Sequence, residues 1–196
     1  KCNFTDDYIS YIKDFISPSI KNNNIKVLYD GFYGVGAKTI KKLFKDYNLN
    51  NITLKHCSHD ALFGGNLPNP TKENMLKNRD EVIKDNYSFC FGMDSDGDRL
   101  GIIDEKGNYV DSNEIMACLY YYLVKYRKEN GDCVKNLATS ILLDKLSNNL
   151  GYKCHEVDVG FKNISSKMKE VNALLGGESS GGLTIRNYLF GKDSTF

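Results

Sequence analysis

Three aspartates at alternate positions, Asp94, Asp96 and Asp98, lie between two apolar runs in the stretch from Ser88 to Asp104, and Arg99 follows at once. Carboxylates held this close repel one another. A hard divalent cation with oxygen ligands relieves the repulsion, and Mg²⁺ is the expected ion. In an extended segment residues i, i+2 and i+4 face the same way. The three side chains can then converge on one ion while Arg99 leaves on the opposite side to meet an anion. A metal beside a guanidinium is what a phosphate site requires.

Other readings of the same loop compete. A solvated acidic turn is the commonest fate of Asp-rich loops, but Gly92 and Gly97 sit here in a strand-loop-strand frame. An EF-hand loop also begins D-x-D-x-D, and Glu105 falls at its twelfth position. That loop needs glycine sixth, where this chain has Arg99, and helices on both sides, where this chain has strand-like runs. A phosphatase of the haloacid dehalogenase type carries D-x-D-G-T after a strand, and Met93–Gly97 comes close. Asp94 would then be a nucleophile, although Asp98 replaces the threonine and the loop sits mid-chain.

A second loop, Gly177-Glu-Ser-Ser-Gly-Gly182, offers a carboxylate, hydroxyls and close backbone approach. Paired sugar hydroxyls suit an acceptor such as Glu178 beside a serine, Ser180, that both donates and accepts. A plain glycine-rich hairpin fits the loop equally well. Lys162, in Val159-Gly-Phe-Lys162, stands at a predicted helix start, where a cation opposes the helix dipole and a ligand-facing role is favoured. Lys192, in Gly191-Lys-Asp-Ser194, adds a further cation in a loop. The turn Gly31–Gly36 matches neither dinucleotide nor Walker spacing, and its glycines are read as permitting a tight turn and close helix packing.

The elements that must position these residues follow from periodicity. A helix is predicted over 5–17, capped by Thr5, with Tyr8, Ile9, Ile12, Phe15 and Ile16 on its apolar face and Pro18 as its limit. Strands are expected at 25–29, 52–55, 87–93 and 100–103. Helices are expected from Gly36 to Tyr47 and as one piece over 72–85. The order then repeats. A helix from Ser112 runs until Asn130-Gly131 stops it, and helices follow at 141–150 and 161–171. Strands are expected at 136–140, 153–157, 173–176 and 183–186. The repetition predicts an α/β fold of two similar α/β/α domains, residues 1–109 and 110–196. Each is a small mixed sheet with one antiparallel strand and helices on both faces. Both loops then fall at carboxyl ends of strands, where open α/β sheets bind ligands, and could face one cleft.

Composition bounds the partners. With 196 residues, 26 basic against 25 acidic side chains and no charge block, neither nucleic acid nor a membrane surface is an expected partner. No signal peptide or membrane-spanning stretch is expected. Cys2, Cys57, Cys90, Cys118, Cys133 and Cys154 form no C-x-x-C pair. They read as small hydrophobes in a reducing, cytoplasmic setting. His56-Cys57-x-His59 lacks a partner cluster and reads as a plain loop.

Taken together, these motifs resemble the α-D-phosphohexomutases, the phosphoglucomutase and phosphomannomutase family. Asp94-Ser-Asp-Gly-Asp-Arg99 is similar to the family's D-G-D-G-D-R metal loop, and Gly177-Glu-Ser-Ser-Gly181 to its G-E-x-S-G sugar loop. Val159–Lys162, Pro68-Asn-Pro70 and Lys192-Asp193 also match, in family order. The resemblance covers the second and third of four domains, with the third stopping early. It implies transfer of phosphate between a hexose and an enzyme phosphoserine through a bisphosphate. In that scheme Asp94, Asp96 and Asp98 hold Mg²⁺, and Arg99 contacts phosphate. Glu178 and Ser180 bind ring hydroxyls, Lys192 is a general acid or base, and Lys162 contacts substrate. The phosphoserine loop and the phosphate clamp belong to family domains outside this stretch, so the 196 residues alone are expected to be inactive. Gly182, where many mannose- and glucosamine-type members have histidine, tilts the resemblance toward the glucose type. A non-catalytic metal- or sugar-phosphate-binding module is the alternative.

Overall fold

A computed structural model of the chain describes residues 4–15 and 25–195. The chain forms two compact units. Among the described residues, the first comprises 4–15, 25–97, Gly101–Tyr109 and Thr195, and the second Asp98–Leu100 and Val110–Ser194. Both are α/β/α arrangements built on a small mixed sheet.

The first unit carries α1 (Thr5–Phe15), β1 (Val27–Asp30), α2 (Gly36–Asp46), β2 (Ile52–Lys55), α3 (Lys72–Leu76), α4 (Arg79–Lys84), β3 (Phe89–Met93), β4 (Leu100–Asp104) and β5 (Tyr109–Val110). Its strand order is β2-β1-β3-β4-β5, with β1 parallel to both neighbours. All four residues of β1 are buried, as a central strand covered on both faces requires. One apolar cluster joins Leu28, Met75, Val82, Tyr87, Cys90 and Ile103, and another joins Ile9 and Ile12 of α1 to Leu43 of α2. Fully burying such a side chain stabilises the fold by about 1.5–3 kcal/mol. Burial, reinforced by the charge of Asp30, pushes the Cys90 thiol up to about 12, so it acts as a small hydrophobe. Cys133 is also buried, whereas Cys118 is exposed.

Several elements differ from expectation. Thr5 is the first helical residue rather than a cap; the side chains of Phe15 and Ile16, and Pro18, lie outside the described residues. The strand β5 adds a fifth member to the sheet. The single helix expected over 72–85 is two, α3 and α4, and Ile83 on α4 is exposed. Asn78 sits in the break, 1% exposed. Its amide donates to Asp30 Oδ2 at 2.8 Å and its carbonyl accepts from Lys55 Nζ at 2.8 Å. Lys55 also pairs with Glu81 at 2.8 Å, and His56 Nδ1 lies 2.9 Å from Asp30 Oδ1. A buried carboxylate needs such partners, and helical periodicity cannot reveal them.

The second unit carries α5 (Ser112–Lys125), β6 (Cys133–Asn136), α6 (Leu142–Asn149), β7 (Cys154–Val157), α7 (Phe161–Val171), β8 (Leu175–Gly177) and β9 (Leu183–Ile185). The order is β7-β6-β8-β9; β6 is parallel to β7 and β8, and β9 is antiparallel to β8. This repeats the β2-β1-β3-β4 order of the first unit. Asp111 and Glu114 close a capping box at the start of α5. The helix ends at Lys125, short of Asn130, and Lys128 already has a left-handed backbone at φ 59°. The strand expected at 136–140 lies three residues earlier, and its third residue is the buried Lys135. Burial alone would lower that ammonium's pKa. Contacts at 2.9 Å to Asp144 and Glu156 outweigh burial and raise it. Gly160 enters α7 at φ 121° and Asn172 leaves it at φ 51°.

The Asn78 network gives a direct test. Asn78→Ala leaves Asp30 and Lys55 each short of a buried partner, and should cost about 2–3 kcal/mol of stability. Urea denaturation monitored by circular dichroism should show a lower midpoint. A midpoint equal to that of the parent chain would remove the network from the fold's essentials.

Candidate functional site

The acidic loop leaves β3 at Met93. One carboxylate oxygen from each of Asp94, Asp96 and Asp98 can be chosen so that all three lie within 4.8 Å of one another. Asp94 is buried, Asp96 is exposed and Asp98 is intermediate. The convergence does not come from extended alternation. The backbone turns instead, with Gly97 N donating to Asp94 O at 3.2 Å and Gly97 at φ 78°, a conformation glycine adopts without strain. Three hard oxygen donors without cysteine or histidine fit a hard divalent cation.

Neighbouring backbone holds the turn from beneath. Val35 N donates to Ser95 O at 2.9 Å, and Ser95 N donates to Pro68 O at 3.2 Å. Gly34 passes so close that a Cβ there would meet Asp94 O at 2.7 Å and Ser95 Cα and O at 2.8 Å. Of the glycines in 31–36, Gly34 thus serves close packing against the acidic loop, while Gly31 lies against His56 and Cys57 and Gly36 against Tyr29 and Met93. The Asp30 network reaches the same shelf, because Phe32 N donates to Asp30 Oδ1 at 3.1 Å and Tyr33 N to His56 O at 2.7 Å. The long loop holding Pro68-Asn69-Pro70 thus supports the acidic turn.

Arg99 was expected on the side away from the aspartates. Its Nε lies 3.6 Å from Asp98 Oδ1, and the side chain is partly exposed. The Gly177–Gly182 loop joins β8 to β9, and in it Glu178 is buried. Ser180 Oγ donates to Glu178 Oε1 at 2.8 Å, and Asn136 Nδ2 donates to Glu178 Oε2 at 3.1 Å. Asn136 was not singled out from the sequence. Its side-chain carbonyl also accepts from Ala138 N and Thr139 Oγ1, so an Asn-x-x-Thr turn after a strand was the available signal.

Lys192 joins the loops' chemistry within the second unit. Its Nζ is 2.9 Å from Asp98 Oδ2 and 3.6 Å from Glu178 Oε1. Partial burial would lower its pKa, but the hydrogen bond to Asp98 and the charges of Asp98 and Glu178 outweigh it and raise the value, despite Arg99. Lys162 is exposed in the first turn of α7 and makes no hydrogen bond or ion pair with described residues. The structure thus brings Asp94, Asp96, Asp98 and Arg99 into one loop. It gathers Glu178, Ser180 and Lys192 around one carboxylate and leaves Lys162 apart.

Comparison with known proteins places this geometry. Residues 6–107 match the family model for phosphoglucomutase/phosphomannomutase alpha/beta/alpha domain II, and residues 111–196 match that for domain III. A phosphoglucosamine mutase of Staphylococcus haemolyticus is 30% identical over 182 residues, 92% of this chain and 39% of that protein. A phosphoglucomutase/phosphomannomutase of Thermococcus kodakarensis is 29% identical over 190 residues, 95% of this chain and 41% of that protein. The chain thus spans about two fifths of these relatives' length. Among solved structures, a Thermus thermophilus protein assigned as a phosphomannomutase superposes with a TM-score of 0.91 at 25% identity, covering 98% of this chain and 45% of that one. A Burkholderia thailandensis protein of the phosphoglucomutase/phosphomannomutase family shares the fold, with a TM-score of 0.86 at 20% identity over 98% of this chain and 41% of that one.

The buttress predicts the effect of one methyl group. Gly34→Ala must push the acidic turn, and overpacking of this kind costs about 1–3 kcal/mol. Mn²⁺ affinity, read by electron paramagnetic resonance, should fall roughly tenfold, the equivalent of about 1.4 kcal/mol. Gly191→Ala, where an added Cβ meets nothing within 4 Å, should leave affinity unchanged. Equal affinities for both variants would contradict the buttress.

Proposed function

The chain belongs to the phosphoglucomutase/phosphomannomutase family, and from that premise we propose that it forms the metal- and sugar-binding centre of a Mg²⁺-dependent phosphohexomutase. The parent enzyme interconverts hexose 1-phosphate and hexose 6-phosphate. The observation that carries the reading is the acidic trio, three carboxylates within 4.8 Å in a loop that also supplies Arg99. No helix among the described residues is long and apolar enough to cross a membrane.

In this reading Asp94, Asp96 and Asp98 hold Mg²⁺, which when bound neutralises charge on the transferring phosphoryl group. A serine of a further domain carries that group. A sugar hydroxyl attacks the phosphorus and gives up its proton as the new P–O bond forms, the serine P–O bond breaks, and the serine oxygen takes up a proton in return. The resulting bisphosphate turns over and returns its other phosphate to the serine. Glu178, fixed by Asn136 and Ser180, accepts from paired ring hydroxyls. Ser180 offers a second polar contact on the same face. Arg99 meets phosphate as a planar donor. Lys192 is held as an ammonium and suits the role of general acid, a proton donor to the departing oxygen. Lys162 contacts the substrate from the first turn of α7. The remaining domains of the parent enzyme are its partners.

The test uses the full-length parent enzyme with glucose, mannose and glucosamine phosphates as a substrate panel. Glu178→Gln keeps the shape and removes the charge, and kcat/KM should fall on the order of 100-fold for the preferred sugar. Chelation of divalent metal should abolish turnover. The 196-residue chain alone should show none. Undiminished turnover in Glu178→Gln would overturn the sugar-binding assignment. An aspartyl-phosphate trapped on Asp94 would replace the mutase reading with a phosphatase one.

A further inference from the structure

Lys192 lies across Gly182. A Cβ on Gly182 would fall 2.1 Å from Lys192 Cδ and 2.9 Å from its Cγ, with Glu178 Oε1 next at 3.4 Å. Gly182 is not among the residues with positive φ, so its backbone does not demand glycine. What the missing side chain provides is a bed for the lysine's methylenes. The ammonium at the end of that bed touches Asp98 and has Glu178 as a second carboxylate within 3.6 Å. The ring of Phe161 lies 5.7 Å away and contributes a weaker attraction.

We propose that Lys192 is a tethered counter-cation seated on Asp98, that a divalent cation entering the acidic trio competes with it for that carboxylate, and that Gly182 is the positioning residue that makes the seat. The proposal rests on the reading of the trio as a metal site. The physical argument is charge at contact distance. Asp98 Oδ2 accepts the ammonium at 2.9 Å, and a divalent ion taking Asp98 as a ligand meets a like charge there. The lysine need not return to solvent, because Glu178 Oε1 can receive it. Metal loading is thereby linked to the charge around Glu178, the carboxylate assigned to the sugar. Asp98, Glu178, Gly182 and Lys192 all belong to the second unit, so the seat is complete within it.

The test is Mn²⁺ binding to the 196-residue chain by electron paramagnetic resonance, and Mg²⁺ binding by calorimetry, at fixed ionic strength. Removing one cation beside the ligand should tighten binding on the order of tenfold in Lys192→Gln. Gly182→Ala keeps the charge but unseats the methylenes, and should tighten binding several-fold, about half of that effect or more on a logarithmic scale. The double variant should match Lys192→Gln alone, since the two changes act through one contact. Lys167→Gln removes a partly exposed cation paired with Glu170 and should change nothing. Unchanged or weaker binding in Lys192→Gln overturns the proposal, and so does wild-type affinity in Gly182→Ala or equal tightening in Lys167→Gln. If the wild-type chain binds metal and Lys192→Gln does not differ, only the lysine seat fails. If the wild-type chain, with intact circular dichroism, binds no metal, both the seat and the metal reading fail.

Discussion

The fold has to hold three negative charges at one turn. Carboxylate oxygens within 4.8 Å of one another repel by about 3 kcal/mol per pair at an effective dielectric near 20. Nothing in the side chains themselves offsets this. The offset comes from the surroundings: Lys192 and Arg99 beside Asp98, and a backbone that leaves the turn little room to open. Val35 and Pro68 fasten Ser95 from two separate segments, and Gly34 fills the space below. The loop is therefore preorganised by contacts distant in sequence, as a cation site requires if the ion is not to bear the cost of ordering its own ligands.

The same sheet plan carries two loops of different composition. The order β2-β1-β3-β4 recurs as β7-β6-β8-β9, and in each case the candidate loop follows the third strand of that order. After β3 that loop is acidic. After β8 it presents a single buried glutamate restrained by an asparagine and a serine. Burying Glu178 with two donors fixes its orientation and leaves acceptor capacity for a ligand. The fold sets where a loop stands, and the loop's residues set what it can bind.

Buried polar groups organise both units. In the first, Asp30 draws in Asn78, His56 and the Phe32 amide, and through these the shelf below the acidic turn. In the second, Lys135 lies within a fully buried strand, between Asp144 and Glu156. Such groups are costly unless every partner is in place.

Local pattern in the sequence sufficed for the alternation of helices and strands, the repeat of its order, and the residue types of both loops. Apolar periodicity and residue type are local properties, and they placed β2 at Ile52–Lys55 and α7 at Phe161–Val171 as found. Tertiary structure decided what depends on partners far along the chain. The helix break at Asn78 answers to Asp30, and β6 includes Lys135 because two acids neutralise it there. Asp94, Asp96 and Asp98 cluster through a turn braced by Val35 and Pro68, not through extended alternation. Lys192 runs across Gly182, where a Cβ would fall 2.1 Å from its Cδ, and its ammonium meets Asp98 at 2.9 Å. A residue's type is written at one position, but its neighbours in space, and hence its charge and orientation, exist only once the chain has folded.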